Sequence, residues 1–154
     1  MKKITFPALI VISCFLFFCD KEPDENSIPS YVGSVLGGCN GQKSLTLKSA
    51  GNEKDTVIYF LKNDTLHIFT GLNYTCCAPF ETSASFTGES INMDVKDKCS
   101  NLSLCYCKCI CYYTFDFRFT GFENKKYSYK IMLTDPRQSG PVVFREGWID
   151  LTKS

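Results

Sequence analysis

A chain of 154 residues with 44% hydrophobic and 21% charged residues has the composition of one globular domain, not of a disordered, collagen-like or polytopic protein. A formal net charge of +1 carries no electrostatic footprint for nucleic acid. The departures from average are ten cysteines, 13 Phe and 8 Tyr. They bear on compartment and core, and name no activity.

The first elements are an address. Lys2 and Lys3 precede an apolar run from Ile4 to Phe18, and an acidic stretch, Asp20 to Asn26, follows. A basic start, an apolar middle and an abrupt polar exit form an export signal. The run is shorter than the roughly 20 residues that a membrane helix needs. Leu16-Phe17-Phe18-Cys19 resembles a bacterial lipoprotein signal, in which the cysteine is acylated and becomes the mature N-terminus. The acidic residues after it resemble the surface-export signals of Bacteroidetes-type lipoproteins. Phe18 is larger than such signals favour, and Val11-Ile12-Ser13-Cys14 offers Cys14 as the alternative; the change of composition favours Cys19. The resulting division is a signal peptide at 1–18, an acidic tether at 19–30 and one β domain at 31–154. The resemblance implies a palmitate-bearing outer-membrane lipoprotein, facing the periplasm or the cell surface, with the membrane as a partner through its anchor.

The body reads as strands. Gly37-Gly38-Cys39-Asn40-Gly41 is a turn before a strand, and it lacks the Lys-Ser/Thr of a phosphate loop. Leu45 and Leu47 alternate with polar residues. Asp55 to Lys62 and Thr65 to Thr70, joined by Asn63-Asp64, form a hairpin. Further strands are expected at Thr82 to Thr87, Ser90 to Val95, Tyr127 to Leu133 and Val142 to Leu151. Between them, Cys105 to Thr120 alternates throughout: Cys105, Cys107, Cys109, Cys111, Tyr113, Phe115, Phe117 and Phe119 on one face, polar or amphipathic residues on the other. That pattern predicts one long strand with its sulfurs inside and its other face partly wet. The fold class is all-β: an antiparallel β-sandwich or barrel-like domain of seven to nine strands, stapled by disulfides.

Beyond Cys14 and Cys19, eight cysteines remain: Cys39, Cys76, Cys77, Cys99, Cys105, Cys107, Cys109 and Cys111. An even number in an exported chain points to disulfides, with 105 connectivities open. Neighbours in a strand stand about 6.6 Å apart, so most of the run should bridge to Cys39, Cys76, Cys77 or Cys99 outside it. The same spacing argues against a thiolate metal site, whose sulfurs must lie about 3.8 Å apart around zinc. No metal and no cofactor are assigned, and a soft-metal envelope protein is kept as the alternative.

The Cys76-Cys77 pair, followed by Cys107-Lys108-Cys109-Ile110-Cys111-Tyr112 opening an aromatic strand, is similar to a group of small Bacteroidetes lipoproteins. The resemblance spans about Leu66 to Leu133 and implies a lipoprotein and a β-sandwich. Asp55-Thr56-Val57 and Asp64-Thr65-Leu66 resemble the O-glycan acceptor tripeptides of Bacteroidetes envelope proteins, with Thr56 and Thr65 as acceptors. Tyr106, Tyr112 and Trp148 are amphipathic aromatics that suit a glycan or protein ligand. They equally suit ordinary cross-strand pairing.

No catalytic constellation is visible. The single histidine, His67, lies in a strand and reads as an edge or partly exposed residue. Asp94, Asp97, Asp116 and Glu123 are scattered, and a hydrolase would need folding to bring two carboxylates together. Asp116 and Arg118 share the wet face as a weak surface pair. The expectation is a non-enzymatic, membrane-anchored binding or structural module that binds no nucleic acid; a carboxylate-based hydrolase is the remoter alternative.

Overall fold

The computed structural model describes residues 29–38 and 57–153. Eight strands form two four-stranded sheets packed face to face. They are β1 (Ser30–Gly37), β2 (Val57–Lys62), β3 (Thr65–Thr75), β4 (Phe80–Thr87), β5 (Ser90–Asp97), β6 (Ile110–Thr120), β7 (Lys126–Thr134) and β8 (Val142–Asp150). Sheet A has the order β1-β6-β3-β2 and sheet B the order β4-β5-β7-β8. The domain is therefore a sandwich and not a closed barrel. At its two open sides Ser34 bonds Thr82 across the β1–β4 edge, and the Asp150 amide donates to the Tyr59 hydroxyl (3.4 Å) across the β2–β8 edge.

Asn63 and Asp64 take left-handed φ angles of 49° and 58°, as a two-residue type I′ hairpin turn between β2 and β3 requires. The aromatic wall of β6 supplies much of the core. Tyr113, Phe115, Phe117 and Phe119 are at most 1% exposed, and they face Ile91, Met93, Val95, Tyr127, Ile131 and Ile149 of sheet B. Phe80 meets Tyr113 and Phe115 edge to face at 4.9 and 5.4 Å, the arrangement that the ring quadrupoles favour. Burying one such ring contributes about 1.5–3 kcal/mol.

Several features refine or correct the expectations. β5 pairs with β7 in parallel, not antiparallel, because the chain makes an excursion through β6 of the other sheet and re-enters sheet B in the same direction. Ser30–Gly37 is a strand although its Ser and Gly content masks the pattern; it pairs with β6 and carries a bulge at Gly33 (φ 144°). The long strand begins at Ile110, not Cys105. Leu102–Cys105 is instead one helical turn, with Asn101 accepting the Ser103 amide as its N-cap. The far face of β6 is partly wet as expected, with Thr114 and Asp116 each 3% exposed and the Arg118 side chain 39% exposed.

Cys14, Cys19, Cys39, the Leu45–Leu47 alternation and Thr56 lie outside the described residues. Among the described residues, no helix is long and apolar enough to cross a membrane.

Candidate functional site: a cystine-clamped end of the sandwich

β3 ends at Thr75, and the vicinal pair follows at once. Adjacent residues in a strand point to opposite faces. Cys77 escapes that constraint by adopting a left-handed φ of 67° just before Ala78-Pro79, so both thiols serve the same loop. Cys77 bridges Cys107, and Cys99 bridges Cys105, with Cα separations of 5.6 and 5.7 Å. Cys76 is drawn against both Cys109 and Cys111, with Cα separations of 5.4 and 5.1 Å. Two backbone bonds run beside the sulfurs: the Cys76 amide donates to the Cys109 carbonyl (2.9 Å), and the Cys107 amide to the Cys76 carbonyl (3.0 Å).

The leading cysteines of the run are not core residues. Cys107 and Cys109 are exposed, and Cys105 and Cys111 are half-buried. Leaving the strand has a second consequence. The ligand atoms of Cys76, Cys109 and Cys111 lie within 4.8 Å of one another, so the strand-spacing objection to a thiolate cluster does not hold for these three.

A polar network bolts the clamp to the sandwich. Asp97, buried at the end of β5, accepts the Tyr74 hydroxyl (2.9 Å), the Tyr106 hydroxyl (2.6 Å) and the Cys99 amide (2.9 Å). Arg137 lies over the rings of Tyr74 and Tyr106, at 4.6 and 5.0 Å, a cation–π arrangement. It grips Asp135 through Nε and Nη2 (2.8 and 2.7 Å) and donates Nη1 to Thr75 (2.9 Å). Burial pushes the Tyr74 phenol far above its usual range, with the Asp97 bond adding to it. The Tyr106 phenol is raised by the same two causes. The Arg137 guanidinium holds the Asp135 carboxyl below the usual carboxylate range. Tyr113 closes the arrangement, its hydroxyl accepting from the Ala78 amide (3.1 Å) and donating to the Thr75 carbonyl (3.3 Å).

Beyond this rigid base the loop presents Leu102, Leu104 and Ile110 to solvent, Leu104 at 81% exposure. Asp97 and Asp135 both approach Tyr74 and are held in place by the bonds above.

The remaining sequence candidates are dispersed. Tyr106 belongs to the clamp. Tyr112 lies over Gly71, where a Cβ would occupy the space of its hydroxyl. Trp148 stands 70% exposed on β8, and half-buried Thr65 bonds the Asn63 carbonyl (3.4 Å) in the β2–β3 turn. Glu123 pairs with Lys125, and Asp94 is half-buried on β5.

His67 is on β3, a central strand and not an edge, where its Nδ1 donates to Asp116 (2.9 Å). Asp116 also accepts Arg118 Nε (2.9 Å), so the supposed surface pair is a three-residue group around a carboxylate only 5% exposed. His67 pairs in register with Arg118, eight residues along β6 from Ile110, about 26 Å from the clamp by strand rise.

Sequence reasoning missed Tyr74, Asp135 and Arg137 and left Asp97 among scattered carboxylates, because residues separated by up to 63 positions meet only in the fold. Comparison with family models, curated proteins and solved structures returned no match.

Proposed function

We propose that this is a lipid-anchored envelope protein, held at Cys19, whose sandwich is a non-enzymatic module carrying the cystine-clamped end away from the membrane to engage a protein partner. The direction of β1 carries the reading. Ser30 pairs with Thr120 at the far end of β6, whereas the clamp sits at Ile110. A tether running from Cys19 to Ser30 therefore enters the sandwich about 33 Å from the clamp, and the clamp becomes the distal tip. Aliphatic Leu102, Leu104 and Ile110 on a braced tip suit a protein surface better than a sugar, which favours aromatic platforms.

The test has two arms. Intact mass of the native protein should give a chain starting at Cys19 with acyl mass added; a start at Cys14 moves the anchor, and an unmodified N-terminus overturns it. A photo-crosslinking residue at Leu104 should yield one discrete protein adduct in the native host, and the same residue at Glu123, near the tether, should yield none. Adducts at Glu123 alone, or at neither site, overturn the distal-tip reading.

A second reading rests on the convergence of Cys76, Cys109 and Cys111. Reduced, three thiolates would suit a soft cation such as zinc or copper(I). The oxidising envelope that the leader implies favours the disulfide form.

A further inference from the structure

On the outer face of sheet A, Phe60, His67, Arg118 and Gly33 stand in one cross-strand row. Asp116 lies two residues from Arg118 on β6 and so shares that face. Its carboxylate engages one nitrogen of each basic neighbour, Nδ1 of His67 and Nε of Arg118. Among the described residues, His67 Nε2 and the two terminal nitrogens of Arg118 carry no hydrogen bond. Arg137 provides the contrast within the same molecule. Its Nε, Nη1 and Nη2 are all engaged, as befits a purely structural guanidinium. Arg118 is held to Asp116 by Nε, which fixes the group, and its side chain is 39% exposed.

Asp116 is buried and the His67 side chain 14% exposed, so the accessible part of the group is the Arg118 side chain with Phe60 beside it. A Cβ placed on Gly33, beside Arg118, meets nothing within 4 Å. On the other side Phe60 stacks on the His67 ring, 4.8 Å between centroids and 6° between planes, and is itself 37% exposed. With its Nδ1 proton engaged by Asp116, the imidazole has Nε2 as its acceptor.

We propose that Arg118, His67 and Phe60, oriented by Asp116, form a binding site for an acidic saccharide. The Arg118 fork takes a carboxylate or sulfate group in paired hydrogen bonds. His67 Nε2 accepts a hydrogen bond from a sugar hydroxyl, and Phe60 flanks the C–H face of the ring. This site is distinct from the distal tip and does not depend on the anchor.

The chain's single histidine makes the site directly readable. The full exported protein, purified in mild detergent, is titrated with glucuronate, sodium sulfate, glucose and chloride while the imidazole NMR signals are followed. Glucuronate should move the His67 signals saturably, and glucose and chloride should not. Arg118→Gln should weaken glucuronate about tenfold or more, since hydrogen bonds to a charged group are lost. Arg118→Lys, keeping the charge without the fork, should fall between. Saturable sulfate binding without glucuronate binding would overturn the saccharide assignment. Equal, unsaturating shifts with every solute, or unchanged affinity in Arg118→Gln, would overturn the site. Should Arg118→Gln fail to fold, Arg118→Lys and the wild-type titration decide the matter.

Discussion

Replacing Cys77 and Cys107 together by alanine tests how the clamp stabilises the domain. The two residues are 30 apart in sequence. Taken alone, a loop of that length contributes about 3.7 kcal/mol of denatured-state entropy in the loop-closure treatment. The clamp changes the arithmetic, because Cys76 is bridged to Cys109 or Cys111 just outside that loop. With the outer bridge intact, the denatured chain already holds residues 77 and 107 within a ring of about five to seven residues, and the inner bridge contributes only about 2 kcal/mol. Removing Cys99 and Cys105, only 6 apart and nested inside both, should likewise cost about 2 kcal/mol. Urea unfolding of the non-reduced proteins, with stability taken from midpoint and slope, measures both. Two pairs so different in span should thus show nearly equal losses. A loss near 4 kcal/mol for C77A/C107A would refute the reasoning, for it would mean that no second bridge closes the same loop.

Three further outcomes follow from the geometry. Asp135→Asn should flatten the acid limb of stability: Asp135 has a folded pKa below its unfolded value, so its contribution is complete above about pH 4 and disappears as pH falls through the folded value. Urea midpoints between about pH 2 and 6 would register this, and an unchanged acid slope would count against the Arg137 grip. Phe117→Ala, at a position 0% exposed, should cost about 3–5 kcal/mol by leaving a cavity between the sheets. Gly38→Ala should cost about 1–3 kcal/mol by thermal or urea melts, because φ there is 106° and a Cβ would strike the Tyr112 carbonyl and approach Tyr113 Cα to 3.0 Å, both backbone atoms unable to yield.

Much of the fold was legible because the relevant signals are local. Asn63-Asp64 between two β-rich runs predicts a hairpin, and both residues do adopt the left-handed turn. The alternation of Tyr113, Phe115, Phe117 and Phe119 predicts one buried wall, and all four are buried. Extending the same alternation back to Cys105 failed for a physical reason. Period-2 spacing describes side-chain types, not backbone pairing, and covalent bonds to Cys76, Cys77 and Cys99 pull residues 105–109 off the sheet edge into a turn and loop. Asp116 was misjudged similarly. Its place on the polar face was correct, but only the pairing of β3 with β6 brings His67 beside it. The clamp network was beyond reach, since no local pattern relates Tyr74, Asp97 and Arg137.

The three converging sulfurs leave one issue that chemistry decides. The backbone bonds between Cys76, Cys107 and Cys109 would persist whether the thiols are oxidised or reduced, so reduction does not by itself disperse the cluster. Three thiolates gathered within 4.8 Å would bind a soft cation if they were available. Availability, and not geometry, therefore separates a disulfide clamp from a metal centre. The export proposed above would mature the chain where thiols are oxidised, and the one bridge that Cys76 can form takes two of the three sulfurs. Protein purified under non-reducing conditions from its native host should accordingly carry no stoichiometric zinc or copper by elemental analysis, and alkylation on harvest should find Cys77, Cys107, Cys99, Cys105, Cys76 and one of Cys109 and Cys111 blocked. One equivalent of a soft metal accompanied by three alkylatable thiols would replace the clamp reading with a metal site.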